Sequence, residues 1–350
     1  MTEAGVPSPG DDIDAAAGER QRRRVTSVDV ANESGFSQAT VARAFSSPHL
    51  VSESTRDRIT TVAESLGYVP NAIARSLKSQ RTNIIGAVVP ARGEYWQHVL
   101  TAFSRQLAER GRQLLLFSFE DEPDDSVFTS VDQYRLDGLI MASARIGQRH
   151  LARTGGTDVP VVAFNQPAAS GIVPSVSVDN EDGMSTLATH LLQQGVTSVM
   201  FVGGVAAAST DQQRYRGAAQ TLGTSGVALP YLEAGSFSYD DGYKAAGHIA
   251  EMVDRPDAIM VSGDELAFGV VDGLRSSGID VPTDLLVTGF DGLPQASWAG
   301  YDLTTLVQSV DVLVERAIDL LLTADRTQAP STIVEPGTLR IGRTTRRTNG

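Results

Sequence analysis

The sequence predicts a two-part protein, in which a small all-α helix-turn-helix module precedes a larger α/β core built from doubly wound parallel sheets. Capped helical patterns lie within residues 24–68, and from residue 83 short apolar runs alternate with amphipathic stretches. Strands that alternate with helices favour parallel sheets joined by right-handed crossovers. The charge is also divided, because residues 19–82 hold ten basic and six acidic residues in a chain of net charge −13. A basic module joined to an acidic core is expected to have two different kinds of partner.

The composition favours a soluble protein of the cytoplasm. The 350 residues include no cysteine, so no disulfide framework is expected. No apolar run reaches the roughly 18 residues of a membrane span, and we expect no membrane contact. Residues 1–23 combine charged residues with Pro and Gly and lack the apolar segment of a signal peptide, which predicts a disordered leader.

Three helices are predicted in the basic module. A Thr-x-x-Asp capping box begins the first helix at Thr26, Gly35 supplies the following tight turn, and Ser37 caps the second helix. Ser52 caps the third helix, and Gly67 ends it at the position where a left-handed residue is favoured. Two short helices joined by a tight turn and backed by a third form a helix-turn-helix, whose second helix lies in the major groove when such a module binds DNA.

The second helix has an apolar face and a polar face. The side chains expected to face inward are Val41, Ala44 and Phe45. The side chains left free to contact the edges of DNA bases are Gln38, Ala39 and Arg43. The helix pattern leaves two interpretations open, sequence-specific DNA binding and a purely structural helical hairpin.

Two consecutive stretches narrow these alternatives. The segments "VTSVDVANESGFSQATVARAF" and "YVPNAIARSLKSQRTNIIGAVVP" resemble the lactose-repressor (LacI/GalR) family of bacterial transcriptional regulators, and the resemblance runs from about Arg24 to about Thr344. It implies an effector-responsive, sequence-specific regulator, a repressor, that binds a pseudo-palindromic double-stranded operator as a homodimer at the nucleoid. It also implies a core with the two-lobed fold of the periplasmic binding proteins. A small-molecule effector, sugar-like or a related metabolite, is then expected between the lobes.

The resemblance assigns DNA contacts to the helix-turn-helix and to a hinge helix and linker at residues 69–82. These contacts are Thr26, Ser37, Gln38, Ala39, Thr40, Arg43, Asn71, Ala74, Arg75 and Leu77. The hinge has only two helical turns, too few to be stable alone in water, and in the family it orders on DNA and inserts a leucine, here Leu77, into the minor groove. Ala42 replaces the usual Ser, and Ser46 and Ser47 replace the usual Asn pair. A plain linker is the alternative interpretation.

The α/β core is predicted to span residues 83–344 as two lobes that weakly repeat one another. Lobe 1 is expected to comprise residues of about 83–178 and 303–322, and lobe 2 residues of about 179–302 and 323–344. The predicted strands are Ile84–Val89, Leu114–Phe117, Gly138–Met141, Val161–Phe164, Val199–Val202, Ala258–Val261 and Leu285–Thr288. The predicted helices between them include His98–Arg110, Gly183–Gln194, Gly242–Met252 and Leu266–Ser277.

Several polar and aromatic residues follow the ends of predicted strands, where ligands bind in open α/β sheets. The residues that the resemblance assigns to the effector are Trp96, Asn165, Arg214, Phe237, Asp264 and Asp291. A carboxylate, a guanidinium and an amide offer forked hydrogen bonds to vicinal hydroxyls, and an aromatic ring can stack on a sugar or a base. Taken singly, Asp291 is also compatible with a strand-end turn or a helix cap, and Arg214 with a surface salt bridge.

The candidate ligand site departs from the family pattern at three positions. Gly263 stands where Asn is common before an Asp, Gln97 stands where a second aromatic is common, and Gly292 replaces a second acid after Asp291. These departures change the polar and aromatic groups that a ligand would meet. The sequence therefore predicts a ligand that is atypical for the family, and it identifies no particular sugar.

Three other functions compete with that of an effector-responsive regulator. A constitutive DNA-binding regulator with a vestigial ligand cleft stays open, and a solute-binding receptor is disfavoured by the basic head and the missing signal peptide. An enzyme is not expected, because the chain contains no G-x-G-x-x-G, G-x-x-x-x-G-K, H-E-x-x-H or G-x-S-x-G motif. The acidic stretch "EDEPDDS" lacks the ligand spacing of a calcium loop, so we expect neither a metal nor a cofactor.

Overall fold

The computed structural model describes residues 25–69, 81–120, 123–142, 159–166, 171–323 and 329–346. The chain divides into two compact units, Met1–Gln80 and Arg81–Gly350. The predicted leader and the hinge residues 70–80 lie outside the described residues. None of the helices described is both long and apolar enough to cross a membrane.

The first unit contains the three predicted helices. They are α1 (Ser27–Ser34), α2 (Gln38–Ser46) and α3 (Glu53–Leu66). The capping box is confirmed, because the backbone N–H of Thr26 donates to Asp29 Oδ2 at 2.8 Å while the Thr26 hydroxyl accepts from the backbone N–H of Asp29. Gly35 and Gly67 end α1 and α3 with φ angles of 79° and 67°, in the left-handed region that glycine adopts without strain.

The three helices enclose a small core of their own. Val30, Val41 and Ile59 are fully buried at its centre. The ring of Phe45 is half-buried and packs against Tyr68 with ring centroids 5.8 Å apart, so the predicted inward face of α2 is confirmed. Burial of this apolar face leaves the opposite side of α2 in solvent.

The second unit contains two parallel α/β lobes. Its strands are β1 (Ile84–Pro90), β2 (Gln113–Phe119), β3 (Gly138–Ala142), β4 (Val161–Phe164), β5 (Ser175–Val178), β6 (Val199–Gly203), β7 (Tyr231–Glu233), β8 (Ala258–Val261), β9 (Leu286–Asp291), β10 (Thr304–Val307), β11 (Thr332–Glu335) and β12 (Thr338–Arg340). Its helices are α4 (Glu94–Glu109), α5 (Asp125–Asp132), α6 (Asn180–Gln193), α7 (Ser209–Thr224), α8 (Tyr239–Ala250), α9 (Asp264–Ser276) and α10 (Val310–Leu322).

The two sheets repeat one topology. The first has the strand order β11-β5-β4-β3-β1-β2 and the second β12-β10-β9-β8-β6-β7, so each strand of one lobe has a counterpart in the other. The described pairings are parallel except that of β10 with β12, which is antiparallel. This confirms the predicted doubly wound sheets and the internal repeat. It also places the carboxyl ends of the strands of each lobe at one edge, where the connecting loops can build a site.

The predicted lobe limits are wrong for two short strands. Strand β10 was placed in lobe 1 but pairs with β9 in the second sheet, and β11 was placed in lobe 2 but pairs with β5 in the first. Helix α10 does pack on lobe 1, against α4, β4 and β5. The chain therefore crosses between the lobes just after residue 307 and around residue 336. The sequence does not predict these points, because the pairing of a four-residue strand is decided by its partner strand rather than by its own apolar pattern.

Helices α8 and α9 approach each other closely through glycines. A Cβ added to Gly269 would lie 2.0 Å from the carbonyl oxygen of Tyr239, and one added to Gly242 would lie 2.1 Å from that of Leu266. These contacts are with backbone atoms, which cannot move aside as a flexible side chain does. These two helices can therefore pack this closely only with glycine at these positions. Both helices carry residues at the edge of the second lobe.

We predict that Gly269→Ala destabilises the core by about 1–3 kcal/mol, because the added methyl forces the two helices apart. The urea unfolding midpoint of the core measures this loss. The matched control is Gly247→Ala on α8, where an added Cβ meets no atom within 4 Å. Since alanine is the better helix former, the control should be neutral or stabilising by up to about 1 kcal/mol. Equal midpoints for the two variants would contradict the packing argument.

Candidate functional site

A cavity of about 480 Å³ lies between the two lobes of the second unit, at the carboxyl ends of their strands. Five of the six residues predicted for the effector line it, and these are Trp96, Asn165, Arg214, Phe237 and Asp291. The first residue of each of the helices α4, α7, α8 and α9 lies next to residues that line the cavity. The topology thus brings together side chains that are more than 190 residues apart in sequence.

Arg214 is the centre of the polar network on the second lobe. It lies in α7, rather than in a loop after the strand, and its side chain is 4% exposed, so the surface salt-bridge interpretation is wrong. Its Nε donates to Asn180 Oδ1 at 2.8 Å, its Nη1 donates to the carbonyl oxygen of Ser262, and its Nη2 lies 3.4 Å from Asp291 Oδ1. The guanidinium carbon stands 3.8 Å from the ring centroid of Phe290. Both charge and orientation are therefore fixed before any ligand arrives.

Asp291 ends β9 with a φ of 122°, a conformation that few residues other than glycine adopt. Its Oδ1 accepts from Gln308 Nε2 at 2.7 Å as well as from Arg214. Burial raises the pKa of Asp291 to about 6, although Arg214 and the hydrogen bonds from Gln308 and the backbone N–H of Asp264 lower it. The carboxylate therefore caps the start of α9 and also faces the cavity, and it is ionised at neutral pH.

Asp264 is the one predicted effector residue that does not line the cavity. It is fully buried, with Oδ1 accepting from the hydroxyl of Thr305 at 2.6 Å and Oδ2 accepting from the backbone N–H of Leu293 at 2.8 Å. Burial and the nearby charge of Asp291 raise its pKa well above the usual value. The first turn of α9 points this side chain under the sheet, so Asp264 fixes the loop after β9 rather than meeting a ligand.

The first lobe contributes an amide and an indole. Asn165 follows β4 with a φ of 53°, and its backbone N–H donates to the carbonyl oxygen of Val176 at 2.8 Å. Its Oδ1 is buried, and no donor lies within hydrogen-bond distance among the residues that the structure describes. Trp96 stands edge-on to Tyr95, with ring centroids 5.2 Å apart. An amide oxygen that has no donor among the described residues, in a cavity that an indole also lines, is suited to a ligand hydroxyl or N–H.

Three hydrogen bonds between the lobes were not predicted from the sequence, and one of them is donated by Gln295 Nε2 to Glu94 Oε2 at 2.9 Å. The hydroxyl of Tyr95 donates to Gln308 Oε1 at 3.1 Å, which continues the hydrogen bonds from Gln308 to Asp291. The backbone N–H of Glu94, at the start of α4, donates to Glu265 Oε2 at 2.8 Å. Gln308 directly follows β10, so the strand-end rule would have found it had that strand been recognised. Nothing in the local sequence predicts that Glu265 of one lobe caps a helix of the other.

The predicted DNA-contacting residues of the first unit lie on one exposed edge. Gln38, Ala39 and Arg43 are exposed on α2, and the Ser37 hydroxyl accepts from the backbone N–H of Thr40 at 3.1 Å. Gln38 Nε2 donates to the hydroxyl of Ser27 at 3.0 Å, which ties the start of α2 to α1. Thr26 caps α1. The predicted hinge contacts lie outside the described residues, and these are Asn71, Ala74, Arg75 and Leu77.

Comparison with known proteins assigns both units. Residues 26–71 match the model described as "Bacterial regulatory proteins, lacI family", and residues 188–345 match a periplasmic binding protein-like domain. Catabolite control protein A of Priestia megaterium is 30% identical over 290 residues, which cover 81% of this chain and 87% of that protein. The chain belongs to the LacI family. As a member of this family it is a DNA-binding transcriptional regulator, and the curated relatives named here are regulators rather than enzymes.

Further comparisons agree with this assignment. The transcriptional repressor PurR of Actinobacillus pleuropneumoniae serotype 3 is 25% identical over 316 residues, or 89% of this LacI-family chain and 94% of that protein. A crystal structure of the lac repressor dimer, bound to operator and the anti-inducer ONPF, superposes with a TM-score of 0.82 at 22% identity, covering 92% of this chain and 99% of that one. At this identity the superposition confirms the fold.

We predict that Arg214→Met destabilises this LacI-family core by about 3–5 kcal/mol at neutral pH, since it leaves Asp291 buried without its cation. Adding Asp291→Asn to that variant should recover part of the loss. The control is Arg216→Met on the same helix, where the arginine is exposed and its pair with Glu181 is worth at most about 1 kcal/mol. Urea unfolding at pH 7 measures all three, and equal losses for Arg214→Met and Arg216→Met would contradict the network.

Proposed function

We propose that this regulator is an effector-responsive repressor that binds operator DNA as a homodimer in the cytoplasm and changes its affinity for DNA when a small molecule occupies the cleft. The observation that carries the proposal is the convergence of Asn165, Arg214 and Asp291 on one cavity between the lobes. These groups come from both lobes, and the side chains of Arg214 and Asp291 are fixed by their own hydrogen bonds. A cavity of this size with a few oriented polar groups is typical of a small-molecule site.

The proposed ligand carries vicinal hydroxyls or ring N–H groups on a flat or saturated ring. Asp291 accepts and Arg214 donates on the second lobe, and the Oδ1 of Asn165 is an acceptor on the first that has no donor among the described residues. Trp96 and Phe237 supply aromatic faces on which such a ring can stack. A sugar or a nucleoside meets these requirements, and the crystal structure of a related regulator, CelR, is described as a cellobiose complex.

The proposed operator contacts follow from the exposed edge of the first unit. Arg43 and Gln38 read base edges from α2, Ala39 meets an apolar part of a base, and Thr26, Ser37 and Thr40 meet phosphates near the two helix starts. The hinge contacts proposed from the family motif are Asn71, Ala74, Arg75 and Leu77. A dimer would place two such units on the halves of a pseudo-palindromic site.

The cross-lobe hydrogen bonds give the proposed switch its physical basis. Ligand binding alters DNA affinity only if the ligand prefers one arrangement of the lobes, and the resulting coupling is typically about 1–3 kcal/mol. The hydrogen bonds of Tyr95 with Gln308 and of Glu94 with Glu265 join the two lobes, so a change in the distance between the lobes alters these contacts. A constitutive regulator with a vestigial cleft has no such coupling. A solute-binding receptor would bind ligand without binding a specific DNA sequence.

One experiment separates these three functions. Sequences selected from a random duplex pool by the purified protein supply the operator, and a panel of sugars, sugar phosphates, nucleosides and amino acids is then titrated while DNA binding is followed. A compound that shifts operator affinity supports the switch. Operator binding that no compound changes favours the constitutive regulator, and failure to select any sequence contradicts the DNA-binding proposal.

We predict that Arg43→Ala weakens operator binding by about 1–3 kcal/mol and relaxes the preference at one base pair, because a bidentate contact to guanine is lost. The Arg43 side chain is exposed and makes no hydrogen bond or ion pair with another described residue, so folding should be unchanged. Selection from the random pool and anisotropy titrations measure both effects. The control Arg58→Ala on α3 should keep the preference profile. An unchanged profile for Arg43→Ala would remove this residue from base recognition.

We predict that Asp291→Asn weakens effector binding at pH 7 by about 1.5–3 kcal/mol, since a charged acceptor becomes a neutral amide. Wild-type affinity should fall as the pH drops through about 6, where Asp291 takes up a proton, and the variant should lack this step. Operator affinity without ligand should be the same for both. Isothermal calorimetry with the compound found by the panel measures affinity. Asp240→Asn, at the exposed rim, is the control and should keep the pH step.

A further inference from the structure

The two residues before β1, Thr82 and Asn83, are both held by the carboxylate of Asp137. Asp137 Oδ1 accepts from the backbone N–H of Thr82 at 2.8 Å and from its hydroxyl at 2.9 Å. Asp137 Oδ2 accepts from the backbone N–H of Asn83 at 3.0 Å and from Arg112 Nη1 at 2.9 Å. Four hydrogen bonds thus converge on one side chain that is 11% exposed.

The backbone at this point is fixed from the neighbouring strands as well. Asn83 has a φ of 57°, and its carbonyl oxygen accepts from the backbone N–H of Gln113 at 2.8 Å. The backbone N–H of Asp137 donates to the carbonyl oxygen of Ile84 at 2.9 Å. The chain therefore enters the core through a defined turn, locked to β2 on one side and to the residue before β3 on the other.

The second lobe contains the same arrangement at the equivalent place. Asp257 precedes β8 as Asp137 precedes β3, and its Oδ2 accepts from the backbone N–H of Thr197 at 2.7 Å, from the Thr197 hydroxyl at 2.9 Å and from the backbone N–H of Ser198 at 3.1 Å. Asp257 therefore shows what such a carboxylate does where it only holds the start of a strand. It gives the first lobe's version an internal reference.

The two arrangements differ in their charge. Arg112 pairs with Asp137, and both side chains are largely buried, whereas no cationic side chain among the described residues lies within ion-pair distance of Asp257. Burial raises the pKa of Asp137, but the hydrogen bonds from Thr82 and Asn83 and the charge of Arg112 outweigh it and lower the pKa. The extra cation strengthens the hold at the one strand start that directly follows the segment leading from the DNA-binding unit.

We propose that Asp137, supported by Arg112, is a positioning residue for operator binding, because it fixes the point at which the chain from the DNA-binding unit enters lobe 1. This inference rests on the proposed operator-binding function. A fixed entry point limits the arrangements available to the two DNA-binding units of a dimer, so its loss costs specific affinity. Non-specific attraction of the basic unit to phosphates does not depend on that constraint.

The test compares Asp137→Ala with Asp257→Ala in the full-length protein. The DNA probes are the sequence that the wild-type protein recovers from a random duplex pool and a duplex of random sequence. Anisotropy titrations give the two affinities, and urea unfolding gives the stability of the core. Both variants should lose stability, because each removes the hydrogen bonds at a strand start, and Asp137→Ala should lose more because it also leaves Arg112 without its carboxylate.

Only Asp137→Ala should bind the recovered sequence more weakly, by about tenfold or about 1.4 kcal/mol. Its affinity for the random duplex should stay unchanged, and Asp257→Ala should match wild type on both probes. Equal operator affinities for the two variants would overturn the positioning role and leave Asp137 as a strand cap. If the wild-type protein recovers no sequence, the proposed operator binding itself fails, which is a separate result.

A milder pair keeps the test decisive if either alanine variant does not fold. Thr82→Val and Thr197→Val each remove one hydroxyl donor from the equivalent carboxylates. Thr82→Val should weaken binding to the recovered sequence by a few-fold, whereas Thr197→Val should not. Thr82→Ser keeps the hydroxyl and should restore wild-type affinity. Equal affinities for the two valine variants would overturn the proposal.

Discussion

The buried guanidinium of Arg214 is the interaction on which the second lobe's side of the cleft depends. A charge so far from water is tolerated only when it is paired and hydrogen-bonded. Arg214 meets this requirement by joining α7 to Asn180 on α6, to Ser262 after β8 and to Asp291 at the end of β9. One side chain therefore ties three strand and helix ends together, and the cleft wall presents its polar groups in fixed positions.

The network does not stop at the boundary of the lobe. Asp291 also accepts from Gln308, which lies where the chain crosses from β10 to α10, and Gln308 in turn accepts from Tyr95 of lobe 1. A rearrangement of the lobes that separates Tyr95 from Gln308 must therefore leave a buried hydroxyl or amide without its partner, which costs free energy. The ligand-operated switch that we propose would therefore have to break or remake these hydrogen bonds.

Local chemistry made much of this predictable from the sequence. The caps at Thr26, Ser37 and Ser52 and the alternation of buried strands with helices are encoded within a few residues, and the structure confirms them. Strand-end positions and the family pattern together predicted five of the residues that line the cavity. What failed depends on partners outside the local sequence, since β10 pairs with β9 16 positions earlier, β11 pairs with β5 157 positions earlier, and Asp264 bonds to Thr305 41 positions later.

The two lobes share a topology but divide the chemistry between them. Lobe 2 holds the buried ion pair and most of the polar groups of the cleft, whereas lobe 1 offers Asn165 and Trp96 and receives the chain from the DNA-binding unit. A ligand bound mainly by lobe 2 can alter DNA affinity only by changing the position of lobe 1 relative to lobe 2. Among the described residues, hydrogen bonds cross between the lobes from Tyr95 to Gln308, from Glu94 to Glu265 and from Gln295 to Glu94, and the coupling that we propose must act on contacts of this kind.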